Sequence, residues 1–317
     1  MTQSRIKDFN RCTRRHFYNY ELGIDTTEKQ DRLALDFGTA IHKGLEKWWD
    51  GENFFEVLQA AKNESIDRHE ISKINALLIG YDELYKNHEY KTVAVEKEFC
   101  IPLRNPRNKK SVSRTFQLAG KIDAIAKDEF GEYWIVEHKT TSQNLDVESS
   151  YWDRLVLDDQ ISMYIYAAQN LGYDVSGCVY DVIKKPALRP YKATPVDKRK
   201  YRKDGTLYQS MRDKDESHKD YFVRIAAKIA ENPSSYYRRT TVVRSEKEIN
   251  DFEKYVWAVA EKIRFERRLG VYTKNAQSCT AYNKQCKYFD LCSGASSLDD
   301  DKWVKKNKIN AELEIGK

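Results

Sequence analysis

"GKIDAIAKDEFGEYWIVEHKTTS", residues 120–142, decides the fold. Two short apolar runs flank an acidic turn near Phe130–Gly131, the pattern of a hairpin of half-buried strands. The second run ends in Glu137-His138-Lys139. Residues two apart on a strand share a face, so Glu137 and Lys139 point one way and His138 the other. With the turn at 130–131, Asp123 on the first strand comes opposite Glu137, within cross-strand reach. Two facing carboxylates repel unless something positive lies between them. Hard oxygen ligands suit Mg²⁺ or Mn²⁺. Lys139 adds a fixed positive charge of use where a phosphate gathers negative charge. Taken alone, E-x-K is equally the mark of a solvated Glu–Lys pair, so the surrounding chain must carry the reading.

Outward from this stretch, "KTVAVEKEFCIPL" and "RTFQLAGKIDAIA" alternate as strands, joined by the polar, basic loop "NPRNKKS". Helical spacing precedes them: a short helix over about 4–10 with Ser4 as N-cap, a long one from about Asp31, and two more at 52–66 and 68–88. A helix over about 150–171, stopped by Gly172, and the strand "DVSGCVYDVIKK" follow. The centre therefore reads helix, three strands, helix, strand. Beyond it come a basic, Tyr-containing stretch at 186–220, a helix at 222–231, a strand "YYRRTTVVR", a helix at 245–268 and a Cys-bearing segment. The stretch at 186–220 reads either as a solvated insertion or as a nucleic-acid-facing loop, with Lys and Arg for phosphates and Tyr for stacking.

A chain of 317 residues suffices for one large domain or two ordinary ones. Apolar residues make up 40% and charged ones 33%, while Gly and Pro are scarce; this indicates an ordered, helix-rich chain with long polar faces. The net charge of +6 permits a polyanionic partner without demanding one. No apolar run is long enough to cross a membrane and the first residues hold no secretory signal, so the expected location is the cytoplasm. There, six cysteines argue against a disulfide framework and raise the question of metal binding.

Two further pairs share helical faces. Gly38 and His42 stand four apart in "GTAIH"; Gly permits close backbone approach and His is a candidate metal ligand. Gln160 and Tyr164 stand four apart in "QISMY", where an amide and a phenol suit a phosphate or a base. Each pair alone fits an ordinary core histidine or a polar helical stripe. Together they form an ordered set: G-x-x-x-H, G-x-x-D, E-x-K, Q-x-x-x-Y. That set, over about residues 35–185, resembles the RecB-like exonuclease branch of the PD-(D/E)XK nuclease superfamily. Ile122 stands where much of the superfamily has Pro before the acidic residue.

Four cysteines stand apart from the core. Cys100 at a strand end and Cys178 in an apolar strand read as core thiols. Cys12 lies near one end of the chain and Cys279, Cys286 and Cys292 near the other; four thiolates make a complete site for Zn²⁺ or an iron–sulfur cluster. Here the chain is similar to AddB-type and CRISPR-associated RecB-like exonucleases, in which one N-terminal and three C-terminal cysteines surround a [4Fe–4S] cluster.

The resemblance implies an α/β, restriction-endonuclease-like core, a mixed central sheet flanked by helices. It implies that His42, Asp123 and Glu137 bind Mg²⁺ or Mn²⁺, assisted by the His138 carbonyl. Lys139 would then orient the attacking water or stabilise the phosphate, and Gln160 and Tyr164 would position the DNA strand. The implied activity is hydrolysis of DNA, by an exonuclease on single-stranded ends in repair, recombination or phage DNA processing. The implied organisation is a single nuclease domain over 1–317, with a core at 31–185 and a basic insertion at 186–220. A helical and iron–sulfur segment at 221–295 is completed by Cys12. The alternatives are a non-catalytic DNA-binding scaffold and a nuclease subunit dependent on a separate helicase. No G-x-x-x-x-G-K-[ST] phosphate loop is present in these 317 residues, so any motor would come from elsewhere.

Overall fold

The computed structural model describes residues 1–27, 33–62, 67–281, 284–310 and 313. Helices α1 (Gln3–Arg11) and α2 (Thr13–His16) lead into strand β1 (Ile24–Thr26). Then come α3 (Leu33–Trp49), α4 (Phe54–Ala60) and α5 (Arg68–Tyr85). Strands β2 (Lys91–Arg104), β3 (Val112–Lys127) and β4 (Tyr133–Thr141) follow, then α6 (Asp159–Asn170) and β5 (Val175–Lys184). The chain closes through α7 (His218–Glu231), β6 (Tyr237–Val242), α8 (Glu246–Leu269), β7 (Thr280–Ala281), β8 (Lys284–Gln285), α9 (Phe289–Ser293) and β9 (Trp303–Lys305).

The central sheet has the order β2-β3-β4-β5-β6, and all its pairs are antiparallel except β4–β5. A parallel pair needs a long crossover, and α6 supplies it. One face of the sheet packs Ile122, Ile125 and Ile135 with residues of α1, α6 and α8. The other packs Ala124, Ala126 and Val136 with residues of α3, α5 and α7. The result is a mixed sheet between two helical layers, as the sequence reading expects of a restriction-endonuclease-like fold.

Local chemistry sets the element ends. Asp158 caps α6 by accepting the Gln160 amide at 2.9 Å, which places Gln160 in the first turn. A short 3₁₀ turn at Asp153–Leu157 precedes that cap, so the expected helix from 150 is interrupted. Gly172 adopts φ +90°, as the expected stop requires. Thr2, not Ser4, caps α1, its hydroxyl accepting the Arg5 amide. Of the helix expected at 52–66, the part observed is Phe54–Ala60, and 63–66 lie outside the described residues, as does the expected start at Asp31.

One core assignment is corrected. Cys178 is fully buried, but Cys100 is exposed. Its neighbours Phe99 and Ile101 point into the core, so strand alternation turns Cys100 outward, where its thiol donates to Gln117 Oε1.

The chain's two ends are laced together. β1 pairs with β9, the Arg14 amide donates to the Thr273 carbonyl, and Glu21 accepts from both Arg5 and Arg267.

Candidate active site

β3 and β4 pair in register from Lys127↔Tyr133 up to Ala124↔Val136, and there the ladder stops. The next step would set Asp123 against Glu137. Instead, the Asp123 carboxylate accepts the His138 amide at 2.8 Å, so a side chain takes the place of a backbone carbonyl. The strand also slips phase here: Ile122 packs on one face of the sheet and Ala124, two residues on, on the other. Gly120 is required just upstream, because a Cβ there would lie 2.7 Å from the Phe99 ring.

α3 brings His42 to this point. One turn earlier, Gly38 lets the helix approach β4, where a Cβ would already lie 3.1 Å from Thr140 Oγ1. The His42 Nδ1 stands 3.6 Å from Asp123 Oδ2. Burial lowers the imidazole's pKa against the pull of Asp123, which keeps it neutral and able to act as a ligand. His42, Asp123 and Lys139 line one cleft of about 510 Å³, together with Gly38, Glu96 and Lys121.

Glu137 lies behind Lys139 and is only 2% exposed. Burial pushes its carboxyl up to about 8, opposed by Lys139 and reinforced by the charge of Asp123. Burial acts against the Lys139 ammonium too, but Glu137 and Asp123 outweigh it and hold its pKa above the usual value. Lys139 donates to Glu137 Oε1, and Gln160 Nε2 donates to the same oxygen at 2.8 Å. Gln160 Nε2 also donates to the Tyr164 hydroxyl at 3.0 Å. Gln160 and Tyr164 are thus turned toward Glu137 and Lys139, and Tyr164 is buried. Glu137 Oε2 is buried with no hydrogen-bond partner among the described residues. Among the described residues, no three His, Cys, Asp or Glu side chains stand close enough to hold a single metal ion as they are.

Cys12, Cys279, Cys286 and Cys292 come together on one small cavity, beside Arg15 and Lys274. The lacing of the chain ends makes this possible: Asn275 donates to the Arg11 carbonyl at 2.8 Å, next to Cys12. The Cys286 amide donates to the Cys279 carbonyl at 2.7 Å, continuing the β7–β8 pairing. Burial raises the Cys292 thiol's pKa, and the neighbouring Arg14 opposes the rise.

Sequence reasoning missed the support behind His138. Asp181 on β5 pairs opposite His138, and Arg239 on β6 opposite Asp181, so the three form a row across the sheet. Asp181 is fully buried, 3.3 Å from both His138 Nδ1 and Arg239 Nε, and accepts the Tyr81 hydroxyl at 2.5 Å. The signal was available: one carboxylate inside the apolar run "CVYDVI" is out of place unless it is paired.

The chain matches the family model of the PD-(D/E)XK nuclease superfamily over residues 1–293 and belongs to that superfamily. Membership implies nuclease hydrolase activity, and nucleases of this superfamily typically use a divalent metal such as Mg²⁺. No curated protein matches the chain. A solved structure described as the crystal structure of SSO0001 is similar to it, at 10% identity over 85% of this chain and 90% of that one, with a TM-score of 0.31. No helix among the described residues is long and apolar enough to cross a membrane.

Proposed function

We propose that this chain is a Mg²⁺- or Mn²⁺-dependent deoxyribonuclease, acting as an exonuclease on single-stranded DNA ends in repair, recombination or phage DNA processing. The observation that carries the reading is the pairing of His42 with Asp123 and of Lys139 with Glu137 where β3 and β4 part, with His42, Asp123 and Lys139 on one cleft.

By donor chemistry these residues suit a divalent cation, and to hold one their side chains must close from the spacing described, at which no three of the described donors share a single ion. Two carboxylates and a neutral imidazole form an oxygen-rich donor set, and Glu137 Oε2, buried and without a hydrogen-bond partner among the described residues, is left to be satisfied. His42, Asp123 and Glu137 would hold the ion, with the His138 carbonyl. When bound, it supplies a lowered pKa for a water and an offset for charge on the phosphate. The chain's own residues do the rest. Asp123 fixes the main chain at His138 through its amide. Lys139 lines the cleft and brings a positive charge to the scissile phosphate. Gln160 and Tyr164 act on the DNA strand through Glu137 and Lys139, whose positions they hold.

The four cysteines fit a [4Fe–4S] cluster, being a thiol shell around one cavity with Arg15 and Lys274 to offset its charge. Such a cluster would tie Cys12 to the C-terminal segment and add to folding stability, as structural metal sites do.

The test is cleavage of 5′- and 3′-labelled single- and double-stranded DNA with Mn²⁺. Asp123→Ala and Lys139→Ala are each expected to lower the rate by about a hundredfold or more. Undiminished cleavage by either variant refutes the assignment. Salt-sensitive binding by the wild type without cleavage under any divalent metal would favour the scaffold.

A further inference from the structure

Residues 186–217 carry nine Lys or Arg and five Asp or Glu, a surplus of four in a chain whose whole surplus is six. The segment is a folded arm. Its base is closed by Tyr191 and Glu216, which exchange both backbone and side-chain bonds: the Glu216 amide donates to the Tyr191 carbonyl, and the Tyr191 amide donates to Glu216 Oε2, each at 2.9 Å. Arg224 of α7 clamps Glu216 with two nitrogens, at 2.8 and 2.7 Å. The Tyr191 ring lies between the guanidinium groups of Arg212 and Arg224, at 4.1 and 4.0 Å.

The arm ends in a small hairpin. Tyr201 pairs with Leu207, and the Arg202 amide donates to the Thr206 carbonyl at 2.7 Å. Gly205, at φ +80°, makes the turn. Three of the five acidic groups are engaged within the arm or at its root, Asp204 on Thr206, Asp215 on Lys192 and Glu216 on Arg224, and the other two, Asp197 and Asp213, lie outside the 200–208 hairpin. The hairpin is left presenting Lys200, Arg202 and Lys203, all exposed, with Tyr201 55% and Tyr208 48% exposed.

The arm springs from the rim of the cleft. The Lys185 amide donates to the Thr141 carbonyl at 2.7 Å, two residues beyond Lys139. The Lys185 ammonium lies 4.3 Å over the Phe37 ring, next to Gly38. This is the carboxyl end of the parallel pair β4–β5, the side on which open α/β sheets bind ligands.

We propose that the 200–208 hairpin is a binding site for single-stranded DNA adjoining the cleft, with Lys200, Arg202 and Lys203 on phosphates and Tyr201 and Tyr208 stacked on bases. Interleaved cations and exposed rings are what a strand with unpaired bases requires, whereas a duplex hides its base faces. The proposal rests on the nuclease reading for its substrate, but its test does not. The full chain, without added divalent metal so that no cleavage occurs, is titrated with fluorescent oligothymidylate across a range of salt. Lys200→Ser/Arg202→Ser/Lys203→Ser is expected to weaken binding and to flatten the log–log salt slope by about 0.7 per lost phosphate contact, about two in all. Tyr201→Ala/Tyr208→Ala is expected to weaken binding about tenfold per stacked ring and leave the slope unchanged. Lys203→Ser alone, on an exposed turn, gives a variant with no folding consequence and about a third of the slope change.

Wild-type affinity and slope in all three variants would overturn the proposal, even if the enzyme cuts DNA. So would an equal loss of binding to polyglutamate, because that would make the arm a general cation patch. An inactive wild type whose variants still show these losses would keep the arm and remove the nuclease.

Discussion

Replacing Asp181 by Asn removes the anion from a row of three strands and leaves Arg239 without its counter-charge. Asp181 is fully buried and Arg239 nearly so, with side-chain exposures of 0% and 14%. What remains for the guanidinium is the Tyr81 hydroxyl at 2.7 Å and the Tyr85 ring at 3.6 Å. Breaking a buried ion pair by neutralising one partner costs about 3–5 kcal/mol, because the other charge stays desolvated. At an unfolding entropy of about 2.1 cal/mol/K per residue, a 317-residue chain loses about 1.5 °C of Tm per kcal/mol, so the expected drop is about 5–8 °C. Urea melts followed by circular dichroism measure the free energy, and a thermal melt gives the Tm. The double variant Asp181→Leu/Arg239→Met removes both charges and is expected to recover about 2 kcal/mol or more of the summed single losses. A cost below about 1 kcal/mol for Asp181→Asn, or strict additivity in the cycle, would show that the pair is not the desolvated unit described. Acid provides an independent check. Burial works against the Asp181 charge, but Arg239 and the bonds from His138 and Tyr81 outweigh it and hold the carboxyl below its usual range. Its contribution is therefore present above the unfolded value of about 3.9 and is lost as pH falls through the lower folded value. Asp181→Asn is expected to flatten that acid limb.

Glu137 has the opposite sign. Raised to about 8, it stabilises the metal-free fold fully below its unfolded value of about 4.3, and that stability declines as pH rises toward 8. A divalent cation competes with that proton, so the rise in Tm on adding Mg²⁺ is expected to grow from pH 6 to pH 8.5; a pH-independent rise would remove Glu137 from the ligand set. Gly120→Ala drives a methyl into the Phe99 ring and is expected to cost about 1–3 kcal/mol in urea melts, with part recovered by Phe99→Leu. No loss would mean that the ring moves freely. Cys12→Ser is expected to abolish iron content and visible absorbance while Cys100→Ser leaves both unchanged. A colourless wild type holding stoichiometric zinc would keep the four-cysteine site and discard the cluster.

The local chemistry was readable along the chain. Alternation over residues 91–141 and helical spacing on either side place the three strands and their flanking helices, because those periodicities record which face each residue buries. G-x-x-x-H, G-x-x-D and E-x-K each sit on the element that the reading assigned them. Three things required the tertiary structure. The β3–β4 ladder opens after Ala124↔Val136, and Asp123 replaces a backbone acceptor there, a choice made by packing on both faces of the sheet. Gln160 and Tyr164, read as groups for the DNA strand, turn inward to Glu137, because the α6 crossover lays its first turns over β4. Asp181, Arg239 and Tyr81 lie far apart along the chain, on two strands and a helix, and meet only in the folded core, just as Cys12 meets the three C-terminal cysteines only in the fold. Periodicity is a local record of burial. Which buried charges face one another depends on strand order and register, and these are decided by the whole core at once.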